Sequence, residues 1–256
     1  MFPVLGISAN GLNTQSDVLN AIAANIANSN TPGYGARQTA VASTGNSVVR
    51  PSGAHLMGQT LNAALTLNAG SALVGNTPVF SDGIQPTNSP SNLAIEGDGF
   101  FMVSTPSGIS FTRAGMFQVD SGGELVLSNG AKLYPPVNLP LGQKFSVSAD
   151  GVVTVSGAKG PKVVGQVKIA SIPNPQGLVA QGNNLYGLSA NSGQPTITKP
   201  GQNGTGPLAS SSVNQSSTNL AQSMVDLVQA ETAYQVNAKV ITVDQQVIQS
   251  TTNLQA

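Results

Sequence analysis

Apolar residues recur every seven positions at both ends of the chain and every two positions in the middle. Leu5, Leu12, Leu19 and Ile26 stand seven apart, with Val4, Val18, Ile22 and Ala23 beside them, which places one apolar stripe along a helix. Leu220, Leu227, Tyr234, Ile241 and Ile248 repeat the spacing at the other end, flanked by Met224, Ala238, Val240, Val247 and Leu254. An amphipathic core helix explains either stripe alone. Two matching stripes predict that the N- and C-terminal helices pair in a coiled-coil-like manner. A helix running from Ser217 to the end of the chain would be about 60 Å long, and a single stripe offers too little apolar surface to order it. The expectation is therefore that both termini depend on neighbouring subunits for their helical state.

Between the ends the period changes to two. The runs LAIEGDGFFMV (93–103), FTRAGMFQVDSGGELVLSNG (111–130) and FSVSADGVVTV (145–155) turn at Gly-Asp-Gly, Asp-Ser-Gly-Gly and Asp-Gly signals, and KVVGQVKIASI (162–172) is another alternating strand, closed by Pro173-Asn174-Pro175. Short strands with such turns read as an antiparallel β domain. Gly97, Asp98 and Gly99 mark a hairpin or a sharp strand bend, and Gly122 and Gly123 mark a hairpin turn. Residues 37–80 are rich in Ser, Thr, Asn, Gly and Ala and fit an extended linker or short strands, and 192–208 is a second Gly/Pro-rich connector. The fold class predicted is α+β: paired terminal helices and a central antiparallel all-β domain. The segments are 1–36 (helix), 37–80 (extended linker), 81–211 (β domain) and 212–256 (helix).

The first helix stops abruptly at NIANSNTPGYG, residues 25–35. Pro32 cannot continue a helix and biases Thr31 away from helical geometry, while Gly33 and Gly35 let the chain turn on either side of Tyr34. Asn28, Asn30, Thr31, Pro32, Gly33 and Tyr34 thus form a junction where a helix hands over to the next domain.

Charge narrows the functional classes. Only 8% of the 256 residues are charged, ten basic against ten acidic, so there is no basic footprint for nucleic acid. So uncharged a surface suits a subunit covered by other subunits. Cysteine is absent, which removes disulfides, thiol catalysis and thiolate metal sites. The opening MFPVLGISANG lacks a basic n-region and a long apolar h-region, so no cleaved secretory signal is expected, and no apolar run is long enough to span a membrane.

Candidate chemistry is sparse. His55 is the single histidine, and a catalytic base would need a partnered nucleophile and an orienting carboxylate; it is assigned no role. Glu96 and Asp98 form the one close acidic pair, but Gly97 and Gly99 around Asp98 favour a turn over a glycosidase dyad or a calcium loop. Asn203-Gly-Thr205 and Asn214-Gln-Ser216 match the glycan acceptor pattern, which arises often by chance in Asn/Ser/Thr-rich sequence. No catalytic residue, metal site or cofactor is expected.

ANIANSNTPGYG (24–35), after a helix containing GLNTQSDVLNAIA (11–23), closely resembles the N-terminal signature of the bacterial flagellar rod and hook proteins. LAIEGDGFFMV and FTRAGMFQVDSGGELVLSNG resemble that family's central β motifs, and residues 219–254 its C-terminal helix. The distal-rod branch fits best, by length and by residues 164–208; the segment after Gly35 lacks the long charged insertion of that branch, which leaves a proximal-rod or hook-like paralogue as the alternative. The resemblance implies a structural, non-enzymatic subunit of the basal body, in the periplasm-spanning rod. It would be exported by the flagellar apparatus without a cleaved signal and would form a helical homo-oligomeric tube that transmits torque and encloses the export channel. Other rod and hook proteins and the bushing rings around the rod would be its partners, with no nucleic acid and no membrane insertion. The terminal helices would line the inner tube through the seam Leu5, Leu12, Leu19, Ile22, Ile26, Leu220, Met224, Leu227, Tyr234, Ile241 and Ile248. From the residues alone, a β-domain adhesin on a helical stalk is the rival reading.

Overall fold

The computed structural model describes residues 2–50, 55–56, 59–60, 65–68, 70–81, 83–157 and 160–253. Leu254, which flanks the C-terminal heptad stripe, lies outside them. The chain divides into two compact units, one made of Met1–Ile26, Arg37–Asn76 and Leu220–Ala256, the other of Ala27–Ala36 and Thr77–Asn219.

The first unit holds the two long helices, α1 (Phe2–Ala27) and α2 (Leu220–Asn253). Residues after α1 run as paired strands: Ala36–Ser43 with Ser71–Val79, Asn46–Arg50 antiparallel to Leu65–Asn68, and His55–Leu56 to Gln59–Thr60. Of the two readings the sequence allowed for this segment, the described residues take the strand. Side chains of α1 hold its backbone. The Thr14 hydroxyl reaches the Ser71 carbonyl at 2.8 Å. The Asn25 amide donates to the Arg37 carbonyl at 2.9 Å and accepts the Arg37 N–H at 2.7 Å, as a neighbouring strand would.

The second unit is built on the strand Phe100–Thr105. It pairs antiparallel with Gly108–Thr112 (Phe111 opposite Met102), with Lys132–Tyr134 (Leu133 opposite Val103) and with Ile169–Ser171 (Ile169 opposite Phe101). Phe101 and Val103 face a core with Leu93, Ile95, Phe117, Leu125, Val153 and Ile169, while Phe100 and Met102 face a second with Phe111, Ile172, Leu178 and Tyr186. Burial on both faces explains why FFMV is an unbroken apolar run instead of an alternating one.

The Asp120 and Asp150 turns close hairpins with Val119 opposite Leu125 and Val147 opposite Val153. Gly97, Asp98 and Gly99 instead make a bend, because Leu93–Ile95 pairs with Leu208–Ser210 and not with Phe100–Thr105. The run 162–172, expected as one strand, is two. Gly160–Gln166 pairs with Val152–Gly157 and Ile169–Ser171 with Phe100–Thr105. The break falls at Val167, fully buried, whose N–H is taken by the Gly151 carbonyl at 2.8 Å. From there the chain passes from one sheet to the other.

Candidate functional site

Two places gather the residues singled out by sequence: the junction after α1, in the β unit, and the faces of the helices, in the helical unit.

At the junction the Thr31 N–H bonds to the Asn28 carbonyl at 3.0 Å, the Thr31 hydroxyl lies 3.1 Å from the Asn28 side chain, and the Tyr34 N–H reaches the Thr31 carbonyl at 3.2 Å. Gly33 turns with φ +69° and donates its N–H to the Asn214 carbonyl at 2.8 Å. The Asn184 amide donates to the Pro32 carbonyl at 3.3 Å. Tyr34 is buried, and Gly35 lies so close to Phe80 that a Cβ would sit 2.6 Å from its ring. Asn30 is exposed, beside Gln85 and Gln215 in a polar cleft.

Residues far along the chain complete this junction. The Ser217 hydroxyl accepts the Ala36 N–H at 2.6 Å and donates to the Val79 carbonyl at 2.6 Å, and the Ser217 N–H donates to the Tyr34 carbonyl at 3.1 Å. Asn214, fully buried, accepts the Ile95 N–H at 2.9 Å and donates to the Ile95 carbonyl at 2.8 Å. The outgoing chain at 33–36, the incoming chain at Val79 and the returning chain at 214–217 are thereby stitched together. Sequence reading missed Asn214 and Ser217 because each works through residues more than a hundred positions away.

Arg113 was also missed, although it lies inside the FTRAG motif. It is 3% exposed and donates to the carbonyls of Gly99 (3.1 Å), Ser81 (3.2 Å) and Gly97 (2.8 Å). Its guanidinium centre lies 5.5 Å from the Phe80 ring and 5.3 Å from the Phe100 ring. Asp98, 3.9 Å away and largely exposed, adds little. The Gly97–Gly99 bend therefore serves as a carbonyl cradle for a buried cation, which explains why it carries two glycines with positive φ.

The helices bury a face different from the heptad stripes. In α1 Ser8, Gly11, Thr14, Ala21, Ile22 and Asn25 are buried, whereas Leu5, Leu12, Leu19 and Ile26 are half-covered. In α2 the buried residues are Ser223 and Ala230; Leu227, Ile241 and Ile248 are half-covered, and Leu220, Met224 and Tyr234 are exposed. The two helices touch at Gly11, where a Cβ would lie 2.9 Å from the Asn237 side-chain nitrogen. Larger apolar groups remain outside the buried positions of both helices. Those include Val236, Val240, Val243 and Val247, 37% to 57% exposed along one face of α2.

Among the described residues, Asp120 and Lys132 depart from their ordinary proton affinities. Hydrogen bonds from the Glu124 and Gly122 N–H groups hold the Asp120 carboxyl below the usual range, aided by Lys132 and opposed by partial desolvation. Its hydrogen bond and ion pair with Glu124, at 2.6 Å, raise Lys132. Among the described residues no three of His, Cys, Asp and Glu come together as metal ligands, and no helix is long and apolar enough to cross a membrane.

Three family models match in order along the chain: flagella basal body rod protein over residues 5–34, flagellar hook protein FlgE/F/G D1 domain over 94–155, and flagellar basal body rod FlgEFG protein C-terminal over 209–254. The flagellar basal-body rod protein FlgG of Buchnera aphidicola subsp. Baizongia pistaciae is 36% identical over 97% of this chain and 98% of its own length. The chain belongs to the flagellar basal-body rod protein family. The FlgG protein of Bacillus subtilis is 33% identical over 97% of both chains, and the flagellar hook protein FlgE of Salmonella typhimurium 25% over 54% of this chain and 34% of its own. Full-length similarity lies with the FlgG proteins, so this member is a structural subunit of the distal rod, located in the flagellar basal body. The first family segment covers α1 with its junction, and the last covers the returning strand with α2.

Proposed function

We propose that this rod subunit polymerises head to tail into a helical tube that transmits torque and encloses the channel through which later subunits pass. Its role is mechanical and it carries no reaction. Residues 1–36 and 212–256 supply the polymer contacts, 81–211 form the β domain and 37–80 connect them. Other rod and hook proteins meet it at the ends of its segment, ring proteins surround it, and the flagellar export apparatus delivers it.

The observation that carries this reading is the exposed Val236, Val240, Val243 and Val247 face of α2. A monomer gains nothing from four half-exposed valines in line on a helix of so few charges. Covering the remaining half of each contributes about 1 kcal/mol, so one such face gives roughly 4 kcal/mol, no more than the lower end of the cost of association. One contact is too weak for a dimer, but a subunit touched on several sides in a non-closing array accumulates enough.

The test is concentration-dependent assembly of the purified full chain, followed by sedimentation and electron microscopy. Wild type should form tubes, and Val240→Asp should remain monomeric with an unchanged β unit, because it places a charge in an apolar seam. Tubes formed equally by Val240→Asp would reject the assignment of the helical face. Failure of wild type to polymerise at any concentration would reject the function.

A further inference from the structure

We propose that residues 206–217 form a clasp that closes the β unit last, so that the exit of α1 and the first strands of that unit become fixed together, and only when this late segment arrives. The inference goes beyond the polymerising role proposed above and holds whether or not copies assemble.

The bonds that hold this segment reach far back along the chain. Leu208–Ser210 pairs with Leu93–Ile95 (Leu208 opposite Ile95) and Ser212–Asn214 with Ile84–Pro86 (Val213 opposite Gln85), each as a two-stranded sheet. Those two early strands pair with no other described strand. Around them the Gly206 N–H donates to the Asp98 carbonyl at 2.8 Å, the Glu96 N–H to the Pro207 carbonyl at 2.9 Å, the Thr87 N–H to the Ser211 carbonyl at 2.6 Å and the Gln215 N–H to the Gly83 carbonyl at 2.8 Å. The Asn214 side chain takes both backbone groups of Ile95, 119 positions away, and the Ser217 hydroxyl takes Val79 and Ala36, 138 and 181 positions away.

Separation along the chain sets the order. The hairpins at Asp120 and Asp150 close over a few residues, whereas the contacts of the clasp must first overcome the entropy of closing a long loop. The clasp therefore follows the hairpins. Until it arrives, Leu93 and Ile95, which are fully buried beside Leu208 in the finished core, keep one side open, and the Ile95 N–H and carbonyl lack the partner that a dry interior demands. The Gly33 and Ala36 N–H groups, which Asn214 and Ser217 accept, are equally unmet. A chain emerges from its N-terminal end, so α1 and its exit precede the clasp, and α2, which begins at Leu220 just after Ser217, follows at once. One segment thus fixes the outlet of the first helix and the inlet of the second in a single step. A subunit delivered only in part is left with an open β unit.

Hydrogen exchange in the full-length monomer, below any concentration at which copies assemble, tests this. With pulse labelling during refolding, the Gly33, Ala36 and Ile95 amides should gain protection together, and after those of Asp120 and Ser148, which the local hairpins bond to the Glu124 and Val152 carbonyls. In the folded protein, Ser217→Ala should speed exchange about tenfold at Ile95 as well as at Ala36, and Asn214→Ala about tenfold at Ala36 as well as at Ile95, with Asp120 and Ser148 unchanged. Each variant is thereby read at an amide that its own side chain does not touch, which a merely local bond would not move. Protection of Ile95 as early as that of Asp120, or variants felt only at the amide each one bonds, would overturn the clasp. If Asn214→Ala does not fold, Ser217→Ala and the refolding order of the wild type decide the matter.

Discussion

Gly33 lies so close to Arg113 that a Cβ would clash with the Arg113 carbonyl carbon, leaving no room for a side chain, in a backbone conformation with φ +69°. Two independent constraints thus fall on one residue: the left-handed backbone and the Arg113–Ala114 peptide beside it. Gly33→Ala should cost the β unit about 3 kcal/mol. Gly130→Ala is the control, since Gly130 has φ +82° with nothing within 4 Å of a new Cβ, and should cost only about 1 kcal/mol. Urea midpoints of the two variants measure the difference, and equal losses would show that the close approach is not what requires glycine at the junction.

Arg113 ties the incoming chain at Ser81 to the bend at Gly97 and Gly99. A lysine ammonium keeps the charge but cannot present a planar fork to three carbonyls, nor lie as flatly against Phe80 and Phe100. Arg113→Lys should therefore destabilise the β unit by about 2–3 kcal/mol through unpaired buried carbonyls. Thermal unfolding followed by circular dichroism reads the loss, and a loss under about 1 kcal/mol would mean that charge alone matters.

How much of this was legible follows from the kind of signal each residue leaves. The strands around Asp120 and Asp150 were readable because alternation and turn chemistry are local. The abrupt end of α1 was readable because Pro32 and Gly33 break a helix whatever surrounds them. The faces that the helices bury were not. Gly11, Ser8, Ser223 and Ala230 are small and carry little hydropathy signal, yet they are among the buried positions, while the heptad Leu and Ile residues end up half-covered and Leu220 exposed. The single Arg113 and the distant Asn214 and Ser217 leave no periodic trace, because what fixes them is the meeting of three separate chain segments.

Asp120 gives a prediction in pH. Its carboxylate accepts the N–H groups of Gly122 at 2.8 Å and Glu124 at 2.9 Å, which favour the charged form and lower its proton affinity in the folded chain. A depressed folded-state value means that the turn's stabilisation is present above the unfolded value and is lost as pH falls through the folded one. The Gly122 and Glu124 amide resonances should titrate with a midpoint below that of the free peptide DSGGE. A midpoint at or above the peptide's would show that the turn does not favour the carboxylate.

Gly11 and Asn237 make the contact between the two helices measurable. A methyl at Gly11 would lie 2.9 to 3.1 Å from the Asn237 side-chain atoms, so the amide must move aside. Against that, replacing a mid-helix glycine by alanine stabilises a helix by about 1 kcal/mol. Gly11→Ala alone should consequently be close to neutral, the gain in α1 offset by the displaced amide. With Asn237→Ala as background the obstacle is gone, and the same substitution should stabilise by about 1 kcal/mol. The difference between the two effects is the coupling across the α1–α2 contact, read from unfolding of the four proteins in a double-mutant cycle. Additive effects would mean that Gly11 and Asn237 do not meet in solution.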